Sequence, residues 1–319
     1  MPTALVTGST GGIGRAIAEA LARRGYTVHL LGRRAAEGQV VLDSLRADSP
    51  NLPHRFFRVD LATVATNKAF IEAYSAEFDQ LDLLVLNALA LSPRGSTTDD
   101  GLDLTAAVGV LSRYMFSVGF DPLLRRAGGR VVHNGTDVWL QAVDLDRLTN
   151  GGQRALAANA TTYSAGARLV QGYGPHGLTD VPHVMFYPGT VATDQLGWVG
   201  KLPAWLLSVF TIWQPEAVGA VFADMFADTE AGAYSGHRVE RSKLKKLNAK
   251  GLQDKPSFDR LLEWTASKSG MAFEPMAGQL GGNNETTAPL LPDSRPRSTS
   301  WPTPTNAQSI GPSRRSHAR

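Results

Sequence analysis

A glycine-rich segment near the N-terminus constrains the fold more than any other feature. Residues 7–14 read Thr-Gly-Ser-Thr-Gly-Gly-Ile-Gly, directly after an apolar run and directly before an amphipathic helical pattern. In a strand–loop–helix unit, such glycines permit a tight turn, a close approach of the backbone to a pyrophosphate, and close packing of the helix on the strand. Free N–H groups at the helix N-terminus then face the phosphates. The segment predicts a dinucleotide-binding loop rather than a purely structural turn, with cofactor contacts from Gly8, Ser9, Thr10, Gly12, Ile13 and Gly14.

Short apolar runs alternate with longer helical patterns after this loop. That alternation is typical of repeated βα units and a parallel sheet. We expect a single α/β domain over residues 1–269, built on a Rossmann-type doubly wound parallel sheet. Its predicted strands cover residues 4–7, 27–32, 55–59, 81–86, 129–134 and 183–187, and its predicted helices cover 12–24, 35–47, 64–78, 102–126 and 161–171.

The C-terminal segment differs from this domain in composition. Seven of the 18 prolines lie from Pro275 onward, among Ser, Thr, Gly and Asn. A segment of this kind buries too little apolar surface to offset the entropy lost on ordering. Residues 270–319 are therefore predicted to be a disordered tail.

Charge and residue usage exclude several functions. The chain has no cysteine, which rules out disulfides, thiolate metal sites and a cysteine nucleophile. Outside the tail, 27 basic and 26 acidic residues nearly cancel, so a nucleic-acid-binding stripe is not expected. No His, Asp and Glu cluster has the spacing of metal ligands, and no run of about 20 apolar residues predicts a membrane span. We expect a cytoplasmic protein without a signal peptide, a metal site or a nucleic-acid partner.

Two arginines follow the second predicted strand, 19 and 20 residues after Gly14. In NAD enzymes with this fold, an acidic residue near that position holds the ribose 2′-hydroxyl, whereas a cation receives the 2′-phosphate of NADP. Arg33 and Arg34 therefore predict NADP(H) as the cofactor. The alternative is a solvated arginine pair at the start of a helix.

The spacing Thr-Gly-(three residues)-Gly-Ile-Gly resembles the short-chain dehydrogenase/reductase family, and the chain is most similar to its retinol-dehydrogenase-like branch. The resemblance covers residues 3–230. Three later segments, residues 60–61, 86–89 and 188–194, resemble family segments that line the cofactor, although Leu89 stands where the family has glycine. The resemblance implies further cofactor contacts from Asp60, Leu61, Asn87, Ala88, Val191 and Thr193.

The catalytic residues of the family are only partly present. Members of the family transfer a hydride to or from a carbonyl carbon. A Tyr is the general acid–base, and a Lys four residues later lowers the pKa of that Tyr. A Ser orients the substrate oxygen, and an Asn takes part in a proton relay. Tyr163 matches the tyrosine, and Thr136 keeps a hydroxyl at the serine position. Ala167 replaces the lysine and Gly109 the asparagine. Arg168 comes one residue late, which turns it about 100° away on a helix.

Two further segments bear on substrate and assembly. An apolar run at residues 202–213 resembles the substrate lid of the branch, over about 195–215, and favours an apolar small molecule; core packing and peripheral membrane contact are the alternatives. Lysines at 243, 245, 246 and 250 are expected on a solvated helix face.

The resemblance implies that the helix of Tyr163 forms the family's usual dimer interface. Glycine and proline are frequent in and just after this helix and argue against a homodimer, at Gly166, Gly172, Gly174, Pro175 and Gly177.

Three functions are compatible with these residues. The intact cofactor segments favour an NADP(H)-dependent oxidoreductase that interconverts an alcohol and a ketone or aldehyde on an apolar molecule, with Tyr163 as the acid–base. The missing lysine and asparagine favour a cofactor-binding pseudoenzyme or scaffold. A third use of the fold is an isomerase or lyase, in which Tyr163 polarises a carbonyl without net redox chemistry.

Overall fold

A computed structural model of the protein describes residues 1–90, 95–135, 143–150, 155–191, 212–227, 237–240, 243–246 and 255–274. The strands in these ranges are β1 (Thr3–Thr7), β2 (Thr27–Gly32), β3 (Arg55–Arg58), β4 (Leu83–Leu86), β5 (Arg130–Asn134), β6 (His183–Tyr187), β7 (Thr190–Val191), β8 (Ile212–Trp213), β9 (His237–Glu240) and β10 (Lys243–Lys246). The helices are α1 (Gly12–Arg23), α2 (Ala35–Asp48), α3 (Val64–Glu77), α4 (Leu104–Ala106), α5 (Ser112–Gly119), α6 (Asp121–Ala127), α7 (Leu145–Thr149), α8 (Ala155–Gly172), α9 (Pro215–Phe226) and α10 (Lys255–Ser269).

The main sheet has the strand order β10-β9-β6-β5-β4-β1-β2-β3. All its pairings are parallel except that of β10 with β9, and β7 pairs with β8 in a separate parallel ribbon. The strand order reverses between β1 and β4, and ligands of open α/β sheets bind outside the carboxyl ends of the strands at such a switch point. The topology therefore confirms the predicted doubly wound fold and locates the crevice beside the glycine loop.

Helices bury both faces of this sheet. Along β1, Leu5 points into one hydrophobic layer while Ala4 and Val6 point into the other, because successive side chains of a strand face opposite sides. One layer holds α1, α2 and α9, and the other holds α3, α5, α8 and α10. Gly219 brings α9 close to α1, since a Cβ there would collide with the backbone of Ala16.

The six predicted strands of the parallel sheet are present with small shifts at their ends, but the helix predicted over 102–126 is divided. It begins at Leu104, after Asp103 caps the free N–H groups of Thr105 and Ala106. A π-helical turn, Ala107–Leu111, precedes α5, and a break at Phe120 precedes α6, where Pro122 lies in the first turn. The periodicity of apolar residues does not reveal a π turn, because the extra residue changes the register only locally.

Two C-terminal elements differ from the sequence prediction. Lys243–Lys246 form the edge strand β10, so the predicted lysine-bearing helix face is wrong for residues 243–246; Lys250 lies outside the described residues. Lysine-rich edge strands are common because charge discourages pairing with a further chain. Helix α10 packs on α8, where Gly172 leaves room for the ring of Phe258.

The chain continues to pack beyond α10. Met271 and Phe273 contact the hydrophobic core, and Tyr114 Oη donates a hydrogen bond to the Met271 carbonyl at 3.0 Å. The first residues of the predicted tail therefore contact the domain, and residues 275–319 lie outside the described part of the chain. Among the helices described, none has both the length and the apolar character needed to cross a bilayer.

Candidate active site

A cleft of about 520 Å³ opens at the switch point between β1 and β4. One end, here called the phosphate end, is formed by the glycine loop with Arg33 and Arg34; the other, the catalytic end, contains Tyr163 and Arg113. Most of the predicted cofactor residues line this one cleft: Gly8, Thr10, Gly12, Ile13, Arg33, Arg34, Asp60, Leu61, Asn87 and Ala88.

The glycine loop has the backbone geometry that its sequence predicts. Gly8 and Gly12 adopt φ of 66° and 54°, a region in which side chains are disfavoured. A Cβ at Gly14 would collide with the Gly8 carbonyl oxygen. Ser9 is fully buried and lies behind the loop, where its Oγ accepts a hydrogen bond from the Leu31 N–H at 2.9 Å. Ser9 and Gly14 therefore shape the cradle rather than line it.

The two arginines lie at the mouth of the phosphate end. Arg34 donates to Thr10 Oγ1 at 3.4 Å and pairs with Glu37 at 3.1 Å, and Arg33 lies 4.0 Å from Asp60. Both arginine side chains are more than half exposed, 58% and 59%. Exposed ion pairs of this kind are weak, so both guanidinium groups can turn towards an incoming anion.

Asn87 ties the loop to the strand ends. Its amide nitrogen donates to the carbonyls of Thr7 and Gly8 at 3.1 and 3.3 Å, and its amide oxygen accepts from Asn134 at 2.7 Å. Thr7 Oγ1 accepts hydrogen bonds from the N–H groups of both Asn87 and Ala88 at 3.0 Å. The side chain of Asn87 thus positions the loop, while the backbone around it lines the cleft.

Tyr163 projects from α8 into the catalytic end. Its ring lies against Gly135, where a Cβ would be 3.6 Å from Cδ1. Burial raises the pKa of Tyr163; the nearby Arg113 charge and a hydrogen bond from Asn159 act in the opposite direction, and Tyr187 adds to the increase. The phenol therefore lies in a buried part of the cleft, and among the described residues Arg113 is the cation that acts on it.

That cation, Arg113, was missed by the sequence analysis. It is buried on α5, with Nη1 donating to the Asn134 carbonyl at 2.8 Å and Nη2 to the Ala88 carbonyl at 3.0 Å. Burial lowers the pKa of Arg113 to about 10, while Tyr163 acts to raise it. The available signal was an arginine within an otherwise apolar helical stretch, four residues after Gly109 and hence on the same helix face.

The two replaced positions are closely packed. Ala167 is fully buried against Val170 and Met185. At Gly109, a Cβ would collide with Thr162 Cγ2 and lie 3.0 Å from Leu89 Cδ1. Leu89, which departs from the family's glycine, and Thr162 therefore fill the space beside the missing asparagine.

A cavity of about 10 Å³, room for one water molecule, lies at the catalytic end next to both replaced positions. Its walls include Gly109, Ala167, Arg113, Tyr163 and His133. Arg168, one residue past the lysine position, lines neither this cavity nor the cleft, which agrees with its expected direction on the helix.

His133 belongs to a buried histidine pair. Its Nε2 lies 3.0 Å from Nδ1 of His183. Burial holds the pKa of His133 well below its usual range, with His183 and Arg113 adding to the decrease, and burial lowers the pKa of His183 to about 3. Both rings are therefore neutral near pH 7 and act as packing groups.

Three predicted features cannot be placed. Thr136, Thr193 and most of the predicted lid lie outside the described residues. Val191 is described and is buried in the layer that holds α1 and α9. Trp213, at the end of the predicted lid segment, is buried in the same layer.

Comparison with known proteins agrees with this architecture. The short chain dehydrogenase family model matches residues 2–137. DnrU of Streptomyces sp. (strain C5), named for a daunorubicin C-13 ketoreductase activity, is 31% identical over 195 residues, which cover 60% of this chain and 66% of DnrU. Retinol dehydrogenase 12 of Bos taurus is 32% identical over 113 residues, 35% of this chain and 36% of that protein.

Among solved structures, a 3-oxoacyl (acyl-carrier-protein) reductase of Agrobacterium tumefaciens C58 with NADP bound is 26% identical, with a TM-score of 0.60. The match covers 75% of this chain and 92% of that one. The curated relatives are matched over only part of their length, 34% to 66%.

Proposed function

The chain belongs to the short-chain dehydrogenase/reductase family, in its retinol-dehydrogenase-like branch, and from this premise we propose that it is an NADP(H)-dependent oxidoreductase. It interconverts an alcohol and a ketone or aldehyde on an apolar small molecule. The observation that carries the proposal is that the glycine loop and Tyr163 line the same cleft. The loop would hold the phosphates of a dinucleotide, and Tyr163 lines the same cleft, where the reactive end could reach it.

The residues at the phosphate end fit a 2′-phosphorylated dinucleotide. Gly8, Gly11 and Gly12 line the cleft without side chains, and Arg33 and Arg34 supply two cations after β2. Guanidinium groups bind phosphate through paired hydrogen bonds. Asp60 is the acidic neighbour of Arg33, at the end of the next strand, and is consistent with an adenine-side contact.

At the catalytic end, Tyr163 serves as the acid–base. When bound, the nicotinamide supplies or accepts a hydride at the carbonyl carbon of the substrate. Tyr163 donates its phenolic proton to the carbonyl oxygen in reduction and accepts a proton from the alcohol in oxidation. Thr136 would orient the substrate oxygen through its hydroxyl, and the backbone of Val191 and the hydroxyl of Thr193 would hold the nicotinamide end.

The apolar run of the predicted lid supports an apolar substrate. The names of two relatives refer to daunorubicin and retinol, which supports a lipophilic carbonyl or alcohol and a place in natural-product biosynthesis.

A cofactor-binding pseudoenzyme is the second candidate. It is favoured by the dense packing at Ala167 and Gly109, because the space of the two missing polar groups is occupied by apolar atoms. Such a protein would bind the nucleotide without turnover.

Fluorescence titration with NADPH and NADH, followed by incubation with a panel of apolar ketones, tests both candidates. Binding that prefers NADPH, followed by its consumption with one of the ketones, is the expected result. Tight binding without consumption of NADPH across the panel, or of NADP⁺ across the matching alcohols, would favour the pseudoenzyme. Absence of binding by either nucleotide would contradict both.

A further inference from the structure

We infer that Arg113 replaces the missing lysine from a different helix: its guanidinium is a positioning residue that stabilises the Tyr163 phenolate during proton transfer. The inference rests on the proposed function for its role in turnover. The contact itself can be tested without turnover.

Arg113 is a buried cation whose described hydrogen-bond partners are all neutral. Its two hydrogen bonds go to backbone carbonyls, its Nε has no partner among the described residues, and no described carboxylate pairs with it. Transfer of a charge from water into a protein interior is costly unless another group compensates for it. The position therefore calls for a nearby group that benefits from positive charge.

The two carbonyls hold the guanidinium at the floor of the catalytic end. Ala88 follows β4 and Asn134 ends β5, and these neighbouring strands end at the same edge of the sheet. A Cβ at Gly135 would lie 3.8 Å from Arg113 Nη1 and 3.6 Å from Tyr163 Cδ1. The phenol ring and the guanidinium therefore lie close to the same point beside Gly135, which is open because glycine has no Cβ.

Among the described groups that affect the pKa of Tyr163, Arg113 carries a positive charge. The others are Tyr187 at the end of β6, which acts to raise that pKa, and Asn159, one turn earlier on α8, which acts to lower it. His133 faces the same cavity from β5, and burial keeps its pKa well below its usual range. Arg113 is therefore the charge that opposes the effect of burial on the pKa of Tyr163.

The replaced positions are consistent with this exchange. Gly109, Gly135 and Ala167 all line the cavity that Arg113 enters, and each is small. A lysine at 167 would enter the wall of the cavity that the guanidinium also lines. A cation on α5 and a cation at position 167 would thus occupy the same place, and this chain has the cation on α5, Arg113.

The test compares Arg113→Gln, which keeps hydrogen-bond donors without the charge, with Arg113→Lys, which keeps the charge. Arg130→Gln is the matched control, because Arg130 is equally buried, at 8% exposure, and binds the Phe226 carbonyl away from the cleft. Each variant is made with Tyr163 and with Tyr163→Phe, and the difference in tyrosinate absorbance at high pH reports the titration of Tyr163 alone.

We expect Arg113→Gln to move the Tyr163 midpoint upward by about one pH unit or more, and Arg113→Lys and Arg130→Gln to leave it nearly unchanged. An unchanged midpoint in a folded Arg113→Gln protein would overturn the inference. If Arg113→Gln does not fold, Arg113→Met and Arg113→Lys take its place, and equal midpoints in these two variants would also overturn it.

Turnover gives the second measurement. In the oxidation direction, Arg113→Gln should lower kcat about tenfold or more, shift the pH profile upward, and leave NADPH affinity unchanged. If Arg113→Gln shifts the Tyr163 midpoint but the unmodified chain shows no turnover, the charge contact is supported and the proposed function is contradicted. If the unmodified chain turns over but Arg113→Gln leaves the midpoint unchanged, the proposed function is supported and the charge contact is contradicted.

Discussion

The phosphate end and the catalytic end of the cleft are built in different ways. The phosphate end is mostly backbone: three loop glycines, one of which caps α1, followed by two exposed arginines. The catalytic end is made of side chains from α5, α8 and the ends of β4 and β5. Family residues persist at the first end, whereas lysine and asparagine are missing from the second. A cradle made of backbone tolerates few substitutions at its glycines. A positive charge beside Tyr163, in contrast, can come from a side chain on another helix.

The largest expected effect concerns Tyr163. Tyr163→Phe should lower turnover by about 10²–10⁴-fold, because general acid–base catalysis contributes about that much. NADPH affinity should stay unchanged, since the phosphate end is untouched. Steady-state rates and fluorescence titration of the same preparation measure the two effects. Turnover within a factor of two of the unmodified chain would mean that another group moves the proton.

The arginine pair should affect affinity next most strongly. Replacing both Arg33 and Arg34 by Ala should weaken NADPH binding about 10- to 100-fold, which corresponds to hydrogen bonds with a charged group worth about 1.5–3 kcal/mol. NADH, which lacks the 2′-phosphate, is the internal control and should bind equally to both proteins. An equal loss for both nucleotides would indicate damage to the loop rather than loss of phosphate recognition.

Gly14 and Gly11 provide a matched pair within the loop. A Cβ at Gly14 would collide with the backbone, whereas one at Gly11 would meet only the end of the Arg34 side chain, at 3.3 Å. Gly14→Ala should lower the free energy of unfolding by about 1–3 kcal/mol, and Gly11→Ala should change it little. Urea denaturation measures both. Equal effects would contradict the backbone account of the phosphate end.

The last expected effect concerns the acid sensitivity of the fold near the catalytic end. His183 is buried and neutral, with its pKa lowered from 6.5 to about 3, so the unfolded chain binds the proton first as the pH falls. Its contribution to stability is therefore full above pH 6.5 and is lost as the pH falls from 6.5 towards 3. The loss is about 1.4 kcal/mol per pH unit well below 6.5. Denaturation at pH 7 and pH 5 measures the free energy of unfolding of the unmodified chain and of His183→Gln. This free energy should change less between the two pH values in His183→Gln.

Much of the fold could be predicted because its signals are local. The apolar alternation located the strands of the parallel sheet, and the glycine loop located the crevice, since the conformation of a tight turn depends on adjacent residues. The division of the helix over 102–126 was missed because a π turn leaves the apolar pattern nearly intact. The β9–β10 hairpin was missed because lysine-rich sequence is equally compatible with a solvated helix.

The α/β class, the glycine cradle and the loss of the family's lysine and asparagine can all be read from the order of residues along the chain. Which group lies beside Tyr163 in place of the lysine depends on tertiary packing. Arg113, Gly135 and Tyr163 belong to three separate segments that meet after β4 and β5 pair and α8 packs across them. No spacing rule along the chain relates an arginine on one helix to a tyrosine on another. Their proximity follows from sheet order and packing.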